Sequence, residues 1–418
     1  MVRARIHRGA REIGGNCVEL ASDEGSRIVL DLGRPLSAEW GEEVGLPDVS
    51  GLKEADPSLL AVLISHPHID HYGLLTGLQT SVPIYMGKEA ASVISAASFF
   101  SPVSGELHPS GYLKHRQPFH LGPFRVTPFL ADHSAFDAYS LLVEADGRRL
   151  FYSGDIRAHG RKAAMFEGLL ANPPEKVDVL LMEGTHVRLE AAHDGAVLET
   201  ESNLEERFVD LCHATPGAVV AFGSAQNLDR LVTVYRAAKR SGRRLVVDLY
   251  GATVAAATRQ SIPQPGFPGL CVYVPYRQRV KVKKAEQFGR VEAVKSCRVF
   301  PEALAASPGQ FLLYVPSSTA GELINDGVLD QHGVAVWSMW DGYLEDDSGI
   351  ALKALLDESK VELVHLHTSG HASVKDLRRL VDAINPQRVV PIHSEATNRF
   401  AELFPRVEPH EDGEWWGV

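Results

Sequence analysis

The run His66-Pro67-His68-Ile69-Asp70-His71 constrains this chain more than any other part of its sequence. It follows an apolar segment, residues 60–65, that is typical of a buried strand. Imidazole nitrogens and carboxylate oxygens are ligands that Zn²⁺ prefers, and residues two apart in an extended segment point the same way. The first two histidines can therefore bind one ion, while the aspartate and the last histidine lie past the turn and can face a second. A solvated polar loop is the alternative, but four ligand-type residues within six positions argue against it.

Further ligands must come from other segments, because one loop supplies only part of two coordination shells. Three candidates each follow an apolar segment of their own: Asp132-His133-Ser134, Ser153-Gly154-Asp155 and Pro391-Ile392-His393. Loops at the ends of strands collect active-site groups. Any one of these residues alone is more often structural or solvated. The same ligand chemistry at all these strand ends predicts a metal site.

Together these segments resemble the metallo-β-lactamase superfamily, and Asp31 in Leu30-Asp31-Leu32-Gly33 resembles its first motif, where the aspartate is structural. The resemblance implies a binuclear metallohydrolase with two divalent ions, zinc with manganese as the replacement. One ion would be bound by His66, His68 and His133, the other by Asp70, His71 and His393, and Asp155 would bridge both together with a hydroxide. Two metals a few ångströms apart lower the pKa of a shared water to about 7 and stabilise the attacking and leaving oxygens.

The branch of the superfamily is indicated by the 238 residues that separate Asp155 from His393, which leave room for a whole domain. Three further segments resemble motifs A, B and C of the β-CASP nucleases: Met182-Glu183-Gly184-Thr185, Thr368-Ser369-Gly370-His371-Ala372-Ser373 and Pro391-Ile392-His393-Ser394-Glu395. Residues 221–227 and 242–247 are similar to paired βαβ elements of a β-CASP domain. The resemblance is greatest to the ribonuclease J type.

The resemblance implies an α/β fold class, an αββα sandwich with an inserted β-CASP α/β domain. We expect the sandwich to consist of residues 1–185 plus 361–418, and the insert of residues 186–360. Two features depart from ribonuclease J proper. The chain ends 25 residues after His393, where ribonuclease J continues into a further domain, and Glu183-Gly184-Thr185-His186 differs from the usual start of motif A. We therefore expect a ribonuclease J-like protein.

The expected function is hydrolysis of RNA phosphodiester bonds, from the 5′ end, internally or both. The catalytic residues would be Asp70, Asp155, Glu183 and His371, with Glu183 orienting a metal-bound histidine and His371 contacting the phosphate or protonating the leaving oxygen. Ser369, Gly370, His371 and Ser373 would bind a 5′ monophosphate at the start of a helix predicted from residue 374. The structural alternatives are a solvated loop histidine and an ordinary serine N-cap.

Two other functions remain open at this point. A small-molecule hydrolase acting on a lactone, thioester or cyclic nucleotide would suit the acidic composition, but it leaves the inserted domain and motif B without a role. A non-catalytic subunit of a nuclease complex is disfavoured because every expected ligand is present.

Charge gives a weaker indication of partners. The 418 residues include 42 Lys and Arg against 53 Asp and Glu, a formal net charge of −11, which argues against binding of nucleic acid by bulk charge. Residues 277–284 alternate basic residues with valine, which predicts a strand with one basic face along a groove between the domains. Charge runs are usually solvated faces. Trp337, Trp340 and Tyr343 can stack on bases, although aromatic residues are more often buried.

The expected location is the cytoplasm. The four cysteines are scattered without CxxC spacing, which fits a reducing compartment. The N-terminus lacks an apolar signal core, and no stretch of about 18 apolar residues occurs. We therefore expect an RNA substrate and no membrane association, and a homodimer remains open.

Overall fold

The computed structural model describes residues 1–39, 41–101, 105–188 and 198–418. These residues form two compact units. Unit 1 consists of Met1–Leu198 and Gly370–Val418, and unit 2 of Glu199–Ser369. None of the helices in the described ranges is long and apolar enough to cross a membrane.

The strands of the described residues are, in chain order, β1 (Arg3–Arg8), β2 (Cys17–Ala21), β3 (Arg27–Leu30), β4 (Leu59–Leu63), β5 (Ile84–Gly87), β6 (Gly111–Leu113), β7 (Phe119–Leu121), β8 (Phe124–Leu130), β9 (Tyr139–Ala145), β10 (Arg148–Tyr152), β11 (Val179–Glu183), β12 (Val219–Phe222), β13 (Arg244–Asp248), β14 (Leu270–Tyr273), β15 (Phe311–Val315), β16 (Val334–Trp337), β17 (Glu362–His365), β18 (Arg388–Ile392) and β19 (Trp415–Gly417). The helices are α1 (Ile69–Tyr72), α2 (Lys88–Ser98), α3 (Ala163–Ala171), α4 (Glu201–Ala214), α5 (Leu228–Arg240), α6 (Leu249–Ala256), α7 (Tyr276–Lys284), α8 (Gly289–Glu292), α9 (Pro301–Ala306), α10 (Ala320–Asn325), α11 (Asp347–Glu358), α12 (Val374–Ile384) and α13 (Phe400–Leu403).

Unit 1 is built from two sheets with helices outside them. The first sheet has the order β19-β1-β2-β3-β4-β5-β6 and the second β18-β11-β10-β9-β8-β7. Apolar side chains of both sheets, such as Leu63 and Tyr152, form one buried cluster. The opposite faces pack against helices, β4 against α2 in one cluster and β11 against α3 and α12 in another. This is the αββα sandwich that the sequence predicts.

Unit 2 contains one sheet of the order β14-β13-β15-β12-β16-β17, in which every pair of neighbouring strands is parallel. Its central strands read as continuous apolar runs, Val219–Phe222 and Phe311–Val315 among them, and they are fully buried. Parallel strands need this composition because helices cover both faces of the sheet. The predicted fold class, a metallo-β-lactamase sandwich with an inserted α/β domain, is confirmed.

The limits of the units differ from those expected. Unit 2 begins at Glu199 and ends at Ser369, whereas the sequence placed the insert at residues 186–360. At the C-terminal limit the cause is β17, which pairs with β16 and therefore belongs to the sheet of unit 2. The apolar segment at residues 363–367 does not reveal from its composition which sheet it joins.

One predicted strand is wrong. Residues 277–284, which alternate basic residues with valine, lie in helix α7. The buried residue of this helix is Val282, and Gln278, four positions earlier, donates a hydrogen bond to buried Asp248 (Nε2 to Oδ2, 2.5 Å). Residues four apart lie on the same face of a helix, so a helix lets Gln278 and Val282 both face the rest of unit 2. These two contacts therefore favour a helix over a strand.

Candidate metal centre

Four strands of unit 1 end within three positions of the residues of one site. β4 leads into the His66-to-His71 run, β8 into His133, β10 into Asp155 and β18 into His393. β4 belongs to the first sheet and the other three to the second. The site therefore lies at one end of the sandwich, where the carboxyl ends of strands from both sheets meet.

The structure brings the seven expected metal ligands together in two groups. The ligand atoms of each group lie within 4.8 Å of one another. The first group is His66, His68, His133 and Asp155, and the second is Asp70, His71, Asp155 and His393. Asp155 belongs to both groups. Its Oδ2 lies 3.5 Å from His66 Nε2 in the first group and 3.2 Å from His71 Nε2 in the second.

Asp31 holds His71 in place from behind. Its Oδ2 lies 2.7 Å from His71 Nδ1, and its carboxylate also accepts hydrogen bonds from the Ser65 N–H (2.7 Å), the Ser65 hydroxyl (2.8 Å) and the Tyr152 hydroxyl (2.7 Å). When His71 Nδ1–H donates to Asp31, Nε2 is left to face the centre. A carboxylate behind a histidine is a common device for fixing the tautomer of a metal ligand. The structural role that the resemblance implied for Asp31 matches this geometry.

Two further histidines are oriented in the same way. His133 Nδ1–H donates to the carbonyl oxygen of Gly370 (2.5 Å), and His66 Nδ1–H donates to the Ser65 hydroxyl (3.0 Å), so both present Nε2 to the centre. Gly370 has no room for a side chain, because a Cβ there would lie 2.6 Å from Ser134 Oγ and 3.1 Å from His133 Cε1. The glycine of motif B therefore allows the backbone to approach His133.

His393 is held on the opposite side of the second group. Its Nδ1 lies 3.2 Å from Asn16 Oδ1, to which it donates in one tautomer, and 3.2 Å from the Gly14 nitrogen, from whose N–H it accepts in the other. The tautomer that donates to Asn16 leaves Nε2 facing Asp70, whose Oδ2 is 3.9 Å away. Asn16 also donates to the Tyr152 hydroxyl (3.2 Å). No ligand-type pattern in the sequence marks Asn16, Ser65 or Tyr152, so their contacts with the centre appear only in the structure.

The residues fit a pair of divalent cations. Of the buried side-chain atoms that have no hydrogen-bond partner in the described part of the chain, five lie at this centre: His66 Nε2, His71 Nε2, His393 Nε2 and both carboxylate oxygens of Asp155. All five belong to the two ligand groups. Leaving a buried polar atom unsatisfied costs about 1–3 kcal/mol, so a fold that leaves five of them in one place indicates a bound partner.

The protonation of the first ligand group also suits cations, whereas in the second group burial of His71 is outweighed by the carboxylates of Asp155, Asp70 and Asp31, which raise the pKa of this imidazole well above its usual range. Burial lowers the pKa of the His68 imidazole to about 4, and burial together with neighbouring histidines holds the pKa of His66 and His133 well below the usual range. Burial opposes ionisation of Asp155, yet the surrounding histidines outweigh it and keep the pKa of this carboxyl well below its ordinary value. Neutral imidazoles around an ionised carboxylate are the forms that bind metals.

Glu183 and His371 stand beside the centre. Glu183 is buried and accepts hydrogen bonds from the Ile156 N–H (3.0 Å) and from His371 Nδ1–H (3.1 Å), and Thr185 Oγ1 also lies 3.1 Å from His371 Nδ1. His371 Nδ1 is 3.7 Å from Asp155 Oδ2. Burial alone would lower the pKa of His371, but Glu183 and Asp155 raise it to about 9. The histidine that Glu183 contacts is His371, and the role of Glu183 in orienting a metal-bound histidine stays a prediction.

Three other expected residues have different surroundings. Asp132 is buried and accepts hydrogen bonds from the Gly160 N–H (2.8 Å) and the Lys162 N–H (3.2 Å), so it fixes the loop after Asp155. Ser373 is the N-cap of α12: its hydroxyl accepts from the Asp376 N–H (3.1 Å) and donates to the Asp376 carboxylate (2.7 Å). Ser369 is the last residue of unit 2, and its contact with substrate stays a prediction.

Comparisons with known proteins agree with this arrangement. Residues 45–232 match the family described as beta-lactamase superfamily domain, and residues 358–409 match the family described as Zn-dependent metallo-hydrolase RNA specificity domain. The second match contains both His371 and His393. A crystal structure of a protein of unknown function from Enterococcus faecalis V583 has the same fold, with a TM-score of 0.79 at 20% identity over 99% of both chains.

Curated relatives include several ribonucleases J. The protein from Sinorhizobium meliloti is 24% identical over 86% of this chain, that from Mycobacterium tuberculosis 23% over 92%, and that from Helicobacter pylori 22% over 93%. These alignments cover 62%, 67% and 55% of the three relatives. The chain therefore spans between about half and two thirds of their length.

The sandwich, the strand-end ligand groups and the match of residues 45–232 are those of the metallo-β-lactamase superfamily. The inserted parallel sheet and motifs A to C are similar to those of the β-CASP branch. Over most of its length the chain is similar to ribonucleases J.

Proposed function

We propose that the protein is a metal-dependent ribonuclease that hydrolyses phosphodiester bonds of RNA, with two divalent ions bound by the seven residues of the two ligand groups. The observation that carries the proposal is the set of five buried, unpartnered atoms that belong to these groups and meet at Asp155. When bound, such a pair of ions supplies a water of lowered pKa and Lewis-acid stabilisation of the phosphoryl oxygens. Imidazole and carboxylate ligands suit zinc, with manganese as the replacement.

The residues beside the ligands have separate tasks in this proposal. Asp155 links the two ligand groups, and Asp70 completes the second. Glu183 and Thr185 hold the ring of His371 from the Nδ1 side. His371 then contacts a phosphodiester oxygen or protonates the leaving oxygen, a contribution that general acids make when they are positioned within hydrogen-bond reach. Glu183 acts through His371 and is a positioning residue.

RNA is the proposed substrate for two reasons. The curated relatives are named ribonuclease J, and residues 358–409 match a family named for RNA specificity. Cleavage from a 5′ monophosphate end, internal cleavage or both remain within the proposal, with Ser369, Gly370, His371 and Ser373 as the phosphate contacts. The N-cap hydrogen bonds of Ser373 place its hydroxyl on Asp376, so Gly370 and His371 carry more of this role.

The test is an assay of the purified protein loaded with Zn²⁺ or Mn²⁺. Its substrates are one RNA with a 5′ monophosphate, triphosphate or hydroxyl, a phosphodiester reporter and a lactone. We expect RNA and reporter cleavage, loss of both in Asp155→Ala, and no loss in Asp382→Asn, an exposed aspartate of α12. Cleavage of the lactone alone would indicate a small-molecule hydrolase. Absence of all three activities in metal-loaded protein would indicate a non-catalytic subunit.

A cytoplasmic location and a homodimer also belong to this proposal. Cys17, Cys212, Cys271 and Cys297 are all unpaired thiols, which suits a reducing compartment. Fractionation of cells and light scattering of the purified chain test the two statements separately.

A further inference from the structure

Unit 2 carries a strongly basic segment on an acidic protein. Residues 276–300, here called the basic segment, contain eight Lys and Arg against two Glu, a net charge of +6 in a chain whose formal charge is −11. The segment leaves the carboxyl end of β14, the edge strand of the sheet, and returns along the free side of that strand, where the Val299 N–H donates to the Val272 carbonyl (2.9 Å). The basic segment is therefore one continuous stretch of chain at the edge of the sheet.

Few side chains of the basic segment pack against the rest of unit 2. Val282 of α7 and Val294 are buried, and Gln278 donates to Asp248. Three cations of α7, Arg277, Lys283 and Lys284, are exposed, and the structure records no carboxylate partner for them within its described residues. Arg279, in contrast, forms an ion pair with Glu322 (3.4 Å). One face of α7 packs against unit 2, and the three exposed cations on its other face have no acidic partner in the described part of the chain. This face of α7 therefore presents positive charge to solvent.

Helix stability explains only part of this charge. Lys281, Lys283 and Lys284 lie in the last turn of α7, where cations interact favourably with the helix dipole. Arg277 lies in the first turn, where a cation is unfavourable, and the carboxylate at that helix end is Glu322, which accepts from the Tyr276 N–H (2.9 Å) and pairs with Arg279. The helix dipole therefore gives no reason for the charge of Arg277.

Exposed aromatic rings accompany the cations. Tyr276 (62% exposed), Phe288 (59%) and Phe300 (52%) are three of the six most exposed aromatic residues in the described ranges. The Arg298 guanidinium lies 4.5 Å from the centre of the Phe300 ring, and that of Arg279 lies 5.8 Å from the Tyr276 ring. Exposed rings beside cations are the composition of surfaces that bind single-stranded nucleic acids.

Two other basic or aromatic clusters in the described residues of unit 2 do not combine these properties. Arg243 is buried and donates to backbone carbonyls, including that of Gly217 (2.8 Å), and Arg240 pairs with Glu205 and Glu206. Trp337 is buried, while exposed Trp340 and Tyr343 stand among the acidic residues Asp341, Glu345, Asp346 and Asp347. An RNA backbone would be repelled there.

We propose that the basic segment is a single-stranded RNA-binding surface of unit 2, in which the cations of α7 contact phosphates and the rings of Tyr276, Phe288 and Phe300 stack on bases. The surface rests on the proposed ribonuclease function and adds to it a holding site separate from the metal centre. Contact with phosphates is independent of sequence, so the affinity of this surface for RNA depends on RNA length and salt concentration rather than on base identity.

The test measures binding of a fluorescein-labelled, hydrolysis-resistant oligouridylate of 30 nucleotides to the metal-loaded protein. The variant Arg277→Gln/Lys283→Gln/Lys284→Gln should bind about tenfold more weakly or worse, and the slope of log affinity against log salt should fall by about 2, since each lost phosphate contact removes about 0.7. Phe288→Ala should weaken binding at least about fivefold, the effect of losing one stacked base. Arg279→Gln should have a smaller effect, because Glu322 already compensates this cation.

The matched control is Lys53→Gln/Lys88→Gln/Lys353→Gln, which removes the same charge from exposed positions elsewhere. It should bind the oligonucleotide like the wild type, and all variants should hydrolyse a phosphodiester reporter at the wild-type rate. Equal affinity of the two triple variants would overturn the proposal, as would a wild type that does not bind the oligonucleotide. The proposal would also be overturned, in favour of a membrane-binding surface, if the α7 triple variant lost binding to phosphatidylglycerol vesicles but kept the wild-type affinity for RNA.

The same measurements separate this proposal from the ribonuclease proposal. If the wild type cleaves RNA and the α7 variant binds RNA with wild-type affinity, the ribonuclease proposal is supported and the RNA-binding surface is contradicted. If the wild type cleaves no RNA but the α7 variant binds RNA more weakly than the wild type, the RNA-binding surface is supported and the ribonuclease proposal is contradicted.

Discussion

Asp31 Oδ2 and His71 Nδ1 lie 2.7 Å apart, and both side chains are completely buried. Asp31 is held by three more hydrogen bonds from Ser65 and Tyr152, so it cannot turn away from the imidazole. Its backbone has a φ of 60°, in the left-handed region. The backbone of Asp31 is thus strained, and its carboxylate is directed at His71. We infer that this local structure serves to orient the His71 imidazole.

The first prediction concerns this pair. Asp31→Asn keeps the shape and tolerates the positive φ, but the amide polarises His71 less. We expect metal affinity of the second ligand group to fall by tenfold or more, as for other residues that support a ligand from behind. Titration with a competing chromophoric chelator measures this. Asp146→Asn is the control, because Asp146 also has a positive φ (50°) and is exposed. Equal metal affinity in both variants would contradict the prediction.

The second prediction concerns Gly370. A methyl group at this position would lie 2.6 Å from Ser134 Oγ and 3.1 Å from His133 Cε1. Gly370→Ala should therefore displace His133 or the motif B backbone, and lower both metal content and RNA cleavage. Gly168→Ala in α3 is the matched control, since a Cβ there meets nothing within 4 Å, and it should be neutral or stabilising by about 0.5–1 kcal/mol. Metal analysis of the two variants side by side decides the matter.

The third prediction is that metal removal destabilises unit 1. The histidine nitrogens and Asp155 oxygens that are buried without partners gain them only from a ligand. At a free metal concentration of 100 times Kd, the free energy of unfolding should rise by about 2.7 kcal/mol per site. Thermal unfolding with and without chelator measures the difference. Asp155→Ala should unfold at the same temperature in both conditions, and a metal-dependent shift of normal size in that variant would argue against the shared-ligand geometry.

Most of the metal centre was predictable from sequence because its ligands are local signals. His66, His133, Asp155 and His393 each follow the end of an apolar strand, and sheet geometry gathers such ends without further information. The residues that orient them gave no such signal. Asn16 and Tyr152 matter only through contacts formed by the folded chain, with His393 and Asp31 respectively.

The errors have the same origin. In α7, valines two apart suggested a strand, but a tertiary hydrogen bond from Gln278 to Asp248 and burial of Val282 favour a helix. The identity of the histidine beside Glu183 was not predictable either: it is His371, which lies 188 residues further along the chain. Pairings across such distances are set by the packed sheets, which local pattern does not encode.

The fourth prediction is a pH dependence of stability from unit 2. Burial raises the pKa of the Asp248 carboxyl to about 6, although the Gly251 N–H and Gln278 donate to it. The folded state thus favours the neutral acid. The stability that Asp248 contributes is fully present below about pH 4 and is lost as pH rises through about 6, by up to about 3 kcal/mol. Asp248→Asn is always neutral and still caps α6, so its free energy of unfolding should vary less between pH 4 and 7.

Chemical denaturation at several pH values tests the Asp248 prediction. Asp210→Asn, at an exposed position of α4, serves as the control for removal of one carboxylate. The difference between Asp248→Asn and the wild type should grow from pH 4 to pH 7. A difference that stays constant over this range would contradict a raised pKa in the folded protein.

The last prediction separates Glu183 and His371 from the metal ligands. Asp155, Glu183 and His371 also lie close enough together to hold an ion, with ligand atoms within 4.8 Å. We expect instead that His371 serves the substrate, because Glu183 and Thr185 engage its Nδ1. Glu183→Gln and His371→Gln should therefore keep the wild-type metal content and lower kcat for RNA about 10²–10⁴-fold, the usual contribution of a positioned proton donor. Glu183→Asp, whose shorter carboxylate can still accept from His371, should recover part of kcat. A variant at either position that loses one equivalent of metal would make these residues ligands and overturn the assignment.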